Sequence, residues 1–363
     1  MHMSYLLLPV FENDAKLNKS DVRGMKDRKS KIVNGEEARN WTFAAKMLFN
    51  SRGIGTPMAT PSVSHHSTTS GLKYQRGEIE TMKTTTYMQQ TEAAERTKRR
   101  RTFIFRQAFI LLLRFLVTCL FYDQDLYHYM PDHTPWSARD FVPEQVTFVR
   151  RFLPSDGSVI HPAFTTRQLI IRVYHVLERV IPDYLILSSY HDILAILAVL
   201  TGLDEPSEWP PLFGSLTQAY SVRRYWSCFW HHLIYRSFSA WAALLTNSIG
   251  IPRRYARYLN NTIVFVMSGF MHALVDWKLG DGECSSWSVA NWYFMQMFAI
   301  VFEEVVQYAW KKYMQRRLID LKIVTRWLYV FERAAGYVWV FFWLFWSVPK
   351  TSYSELYCMM SRI

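Results

Sequence analysis

The chain has 363 residues, 50% of them hydrophobic and 16% aromatic, and a formal net charge of +12. That length suits one large domain or two small ones. The basic residues flank apolar segments instead of forming one solvated face, which sets aside nucleic acid as the partner and matches positive anchors beside a membrane.

Residues 1–101 are mostly polar. The opening MSYLLLPVF is too short for the apolar region of a signal peptide, and charge follows it. Residues 41–49 (WTFAAKMLF) form either a short amphipathic helix on a membrane surface or a small helix packed on the domain. The stretch 58–95, rich in Ser, Thr, Met and Glu, reads as a loop. RTKRRR at 96–101 then leads into FIFRQAFILLLRFLVTCLFY, a basic anchor followed at once by an apolar segment of spanning length. Arg106 and Arg114 interrupt that segment; they either snorkel or face a protein interior.

A proline-containing loop occupies 131–166. Next come LIIRVYHVLERVI and, after Pro182, DYLILSSYHDILAILAVLTGL, then the turn-rich TGLDEPSEWPPLFG. Further apolar segments follow at 237–245, at Leu259–Trp277, at Val289–Tyr308 with Glu303 and Glu304 inside, and at Val324–Val348. Twelve of the fourteen tryptophans lie at or after Trp209, as suits a membrane-embedded half. The count is about six apolar segments, without the alternation of a transmembrane barrel. Backbone groups in lipid must be paired internally. The expected fold is therefore all-α, a polytopic transmembrane helical bundle over 102–363 preceded by a polar region over 1–101. Cys119, Cys228, Cys284 and Cys358 lie far apart and form no CxxC, so they read as small apolar residues, not as a zinc site or a disulfide framework.

Two features between Glu208 and Asp276 exceed what a membrane helix needs. One is an aromatic and basic cluster, with Arg223, Arg224, Tyr225, Trp226, Trp230, His231, His232 and Arg236. The other is His272, an ionisable side chain inside an apolar run. An imidazole takes and returns protons near neutrality, so His272 can serve as a general base on a hydroxyl. It can equally be a histidine satisfied by a neighbouring group in a bundle. Arg223, Arg224 and Arg236 are suited to the phosphates of a nucleotide-bearing cosubstrate. His272 and Asp276 also spell HxxxD, a signature of soluble acyl-CoA-dependent acyltransferases, but DFGWG is absent and the segment is too apolar.

Trp209, Pro211, Leu212, Phe213 and Gly214, then Ser221, Arg223, Trp226, Trp230 and His231, then Ser268, Gly269 and His272 stand in one order at one spacing. Together they resemble the wax-synthase branch of the membrane-bound O-acyltransferases. RGIGT at 52–56 resembles a stretch in the fungal members, many of which acetylate terpenoid alcohols. Tyr225 departs from the usual Phe, and the leader is polar where family members carry further membrane helices. The resemblance implies transfer of an acyl group, acetyl in the fungal case, from acyl-CoA to a lipophilic alcohol, with no metal and no bound cofactor. It implies His272 as general base and His231 as its partner. Arg223, Arg224, Trp226, Trp230, Arg236 and Ser268 are the expected substrate-binding residues. Long-chain wax-ester synthesis and an inactive protein of the same fold are the alternatives. The expected location is the endoplasmic reticulum membrane.

Overall fold

A computed structural model describes residues 82–122, 134–146, 165–280, 283–284, 287–315, 317 and 325–362. The amphipathic segment at 41–49 and RGIGT at 52–56 lie outside the described residues. Among the described residues there are helices, turns and no strand. The long helices are α1 (Met82–Tyr122), α2 (Thr166–Thr201), α3 (Tyr235–Ser248), α4 (Arg253–Leu279), α5 (Ser288–Ala309), α6 (Thr325–Ser347) and α7 (Pro349–Met360).

Four described stretches are long and apolar enough to cross a bilayer: Glu92–Leu120, Thr166–Thr201, Tyr255–Leu279 and Trp327–Met360. By length and composition these helices suit a chain embedded in a membrane. At 14 residues, α3 is only about 21 Å long, short of a hydrocarbon core of about 30 Å.

Helix α1 begins well before the apolar segment. Residues 82–95, read from composition as loop, are helical, and RTKRRR lies inside the helix. The stretch from 82 to 101 contains no Gly or Pro and is rich in Gln, Glu, Ala, Lys and Arg, which favour helix. Arg114 faces the protein. It pairs with Asp192 of α2, and Gln107 donates to the same carboxylate at 3.4 Å. Each span thus supplies the polar partner that the other's buried group requires. The outer side of α1 bears exposed Phe105, Phe109, Leu112, Phe115 and Leu120, an apolar surface suited to lipid.

Thr165 caps α2 by accepting from the Gln168 backbone N–H at 3.2 Å. The helix ends at Gly202, whose φ of 80° closes it in the left-handed conformation that glycine adopts freely. Arg100 of α1 donates to the Asp204 carbonyl, and Arg96 pairs with Glu205, so the start of α1 lies at the end of α2. At the other end of α2, Arg172 is buried between the rings of Phe345 and Tyr353.

Cys284 and Cys358 form a disulfide with their Cα atoms 5.6 Å apart. This corrects the reading of all four cysteines as unpaired apolar residues. The two are 74 residues apart in sequence, and only the packing of α7 beside the start of α5 brings them together. Cys119 and Cys228 are free thiols.

Candidate active site

The segment 209–234 is built to hold a short non-helical stretch inside the bundle. Trp209 is fixed by an indole N–H bond to Asp204 at 3.0 Å. Leu212 and Phe213 are buried, and the Gly214 N–H donates to the Phe229 carbonyl at 2.9 Å. Ser221 caps the next turn by accepting from the Arg224 N–H at 3.1 Å. The carboxylate of Glu303 accepts from the N–H groups of Val222 and Arg223 and from the indole of Trp339. The acidic residue inside the apolar α5 is thereby explained: it satisfies helix-start donors that have no partner in their own helix.

From Tyr225 to Phe229 the chain makes one π turn, closed by the Trp230 N–H on the Tyr225 carbonyl at 2.7 Å. Trp230 is then extended, and His231 and His232 follow before α3 begins. Irregular backbone of this kind is tolerated at membrane depth only where protein surrounds it. Here the surroundings are aromatic. Trp230 stacks on Tyr225 at 5.4 Å, and Phe213 meets the His231 ring edge-on at 5.5 Å. Trp226 donates to Gln296 at 3.2 Å and packs against Phe265, Trp292 and Tyr293.

His272 approaches from α4. Its ring lies parallel to that of Tyr293 on α5, with centroids 4.8 Å apart and planes 6° from parallel. Gly269, one turn earlier, makes this approach possible. A Cβ there would stand 2.9 Å from both the Ala290 carbonyl oxygen and the Tyr293 Cβ. His231 and His272 are near enough to interact electrostatically, although 41 positions separate them. The Nδ1 of His231 is buried without a hydrogen-bond partner.

Residue types alone did not single out the groups beneath His272. Arg179 of α2 lies close enough to Tyr293, Asp183 and Asp276 to interact electrostatically with all three. Its guanidinium also lies over the Trp292 ring at 5.7 Å. The available signal was a charged pair four residues apart, Arg179 and Asp183, inside a helix of spanning length.

The other expected site residues divide. Trp226 and Trp230 wall the histidine-bearing segment, and Ser268 is buried beside Gly269. Arg223 lies at the far side of the capped turn and pairs with Glu304. Arg224 is held by Gln218 and lies over the Tyr220 ring at 4.6 Å. Arg236 belongs to α3, and its side chain lies outside the described part. Among the described residues no group of three His, Cys, Asp or Glu side chains converges to hold a metal ion.

This segment, from the Trp209 anchor to the Gln296 hub, is also where the chain is similar to known proteins. Residues 209–296 match the sequence pattern of the membrane bound O-acyl transferase family. That segment, 88 of the 363 residues, is similar to the family. Relatives within the wider match include Acetyltransferase atnC of Arthrinium sp., 32% identical over 46% of this chain and 37% of its own length. Acetyltransferase ataH of Aspergillus terreus is 31% identical over 46% of this chain and 52% of its own length. Acetyltransferase aurG of Calcarisporium arbuscula is 33% identical over 55% of this chain and 46% of its own length. The chain thus spans about half or less of the curated relatives it matches. No solved structure matches it significantly. The O-acyl transferase match covers both histidines, the π turn and the Gly269 contact in one block.

Proposed function

We propose that the protein is a membrane-bound acyl-CoA:alcohol O-acyltransferase, with acetyl-CoA as donor and a lipophilic alcohol, a terpenoid or related metabolite, as acceptor, working in the endoplasmic reticulum membrane. The observation that carries this reading is the electrostatic proximity of His231, on irregular backbone, and His272, on α4, in an aromatic interior where, among the described residues, His231 Nδ1 has no partner. Two histidines serve poorly as packing, and serve well where a hydroxyl proton must be moved.

In this mechanism His272 accepts the proton as the alcohol oxygen attacks the thioester carbonyl carbon. The new C–O bond forms, the C–S bond breaks, and the CoA thiolate leaves and takes the proton from the imidazolium. His231 hydrogen-bonds the reacting groups. Trp226, Trp230 and Ser268 shape the acceptor chamber. Arg223 and Arg224, with Arg236, hold the donor's phosphates, Arg223 exchanging Glu304 for phosphate as CoA binds. The relatives named acetyltransferases support a short acyl group.

The test is expression in a host lacking the activity. Membranes are supplied with acetyl-CoA or palmitoyl-CoA and a panel of lipophilic alcohols, and free CoA thiol and ester are measured. Ester formation from acetyl-CoA that falls about 10²–10⁴-fold in His272→Ala is the expected result. Preference for palmitoyl-CoA would replace the acetyl assignment with wax-ester synthesis. No alcohol-dependent thiol release from any donor would overturn the enzymatic reading.

A further inference from the structure

We infer that Tyr293 is the positioning residue for His272, its phenol ring setting the plane of the imidazole while the packed rings of Trp226 and Trp292 hold it in place. The inference rests on the acyl-transfer reading and adds to it a residue on another helix. The geometry is specific. Tyr293 is buried on α5, and its ring lies 6° from parallel to that of His272 at a centroid distance of 4.8 Å. Gly269 allows the two helices to close until the Tyr293 Cβ stands where a side chain on α4 would start. Arg179, from a third helix, lies beside the tyrosine together with Asp183 and Asp276. Trp292 and Trp226 pack around the tyrosine ring at 5.0 and 5.9 Å, leaving it little freedom to turn.

A base acts only when its ring nitrogen faces the proton it removes, and small misplacements cost large factors in rate. His272 sits on a helix and, among the described residues, no hydrogen bond orients its ring. Face-to-face contact with a ring packed among tryptophans supplies that orientation. It also leaves the imidazole's edge, where both nitrogens lie, free for the alcohol. The phenol neither touches substrate nor exchanges a proton in this scheme.

The experiment compares Tyr293→Phe, Tyr293→Leu and His272→Ala in membranes, with kcat and KM for acetyl-CoA measured against one accepted alcohol. Tyr293→Phe keeps the ring, so its kcat should stay within about threefold of the unmodified protein. Tyr293→Leu removes the ring, and its kcat should fall about 10–100-fold with KM for acetyl-CoA unchanged. Full rate in Tyr293→Leu, alongside loss in His272→Ala, would overturn the positioning role and leave the acyltransferase reading intact. Retention of rate in His272→Ala would overturn that reading itself, and the inference with it. Should Tyr293→Leu fail to reach the membrane, Tyr293→Phe decides, because a kcat loss as deep as 10-fold there contradicts a role carried by the ring.

Discussion

The carboxylate of Glu303 reaches from α5 to the backbone N–H of Val222 and so fixes the start of the histidine-bearing segment. The same group accepts from Arg223 N–H at 3.1 Å and Trp339 Nε1 at 2.8 Å. Removing it would leave three donors short of a partner, each costing about 1–3 kcal/mol where buried. Glu303→Leu should therefore lower the midpoint of thermal unfolding in detergent sharply, and Glu303→Gln, which keeps one acceptor oxygen, should do so less. Equal midpoints for both variants and the unmodified protein would show that the cap carries no stability.

Gly269→Val should be harmful for a different reason. The added atoms would meet the Ala290 carbonyl and the Tyr293 Cβ, at least one of which is backbone and cannot rotate away. Overpacking of this kind costs about 1–3 kcal/mol. The helices would separate at the level of His272, so activity should fall further than the unfolding midpoint. Thermal unfolding and initial rate, measured on one preparation, distinguish the two effects.

The two histidines should act as a unit. His231→Ala, His272→Ala and the double variant are compared by initial rate at saturating acyl-CoA, normalised to protein in the membrane. If both serve one transition state, the double variant should be little worse than the worse single one. Losses that multiply would make His231 an independent support of the fold.

Arg223 offers a test through its partner. Glu304 holds the Arg223 guanidinium, and Arg257 lies 3.8 Å from the same carboxylate. A phosphate group competing for Arg223 must displace Glu304. Arg223→Ala should raise KM for acyl-CoA, whereas Glu304→Gln should lower it by freeing the guanidinium. An unchanged KM in both variants would remove Arg223 from donor binding.

The helical nature of the chain was legible because apolar segments of spanning length stood between charged loops. The histidines were legible because each was out of place in its surroundings. What could not be read was how charges inside the spans find one another. Arg114 and Asp192 look like separate liabilities in sequence and are one pair in the bundle. Arg179, Tyr293 and Asp276 lie on three different helices, and no local spacing connects them. The Cys284–Cys358 bond was missed for the same reason: it depends on how the last helix returns to the start of α5. The π turn at Tyr225–Phe229 escaped notice because its cause is the cap from Glu303 and the Gly214 bond, both distant in sequence.

That disulfide also bears on which way round the chain sits. Cystines persist where thiols are oxidised and are rare in the cytosol. Cys284 follows the end of α4, and Cys358 lies on α7. The opposite end of the bundle carries Arg96 to Arg101 of α1, Arg257 at the start of α4, and Lys311 and Lys312 after α5. Clustered Lys and Arg mark the cytosolic side of a membrane protein. The basic run Arg96–Arg101 thus lies at the end away from the cystine, as expected if the two ends face different compartments. Arg223, close to Arg257 through Glu304, falls at the end with the basic run, whereas His272 lies about two helical turns from the cystine end of α4. A donor made in the cytosol would therefore have to pass its acyl group most of the way through the bundle, and sealed vesicles of known sidedness would consume acetyl-CoA from one face only.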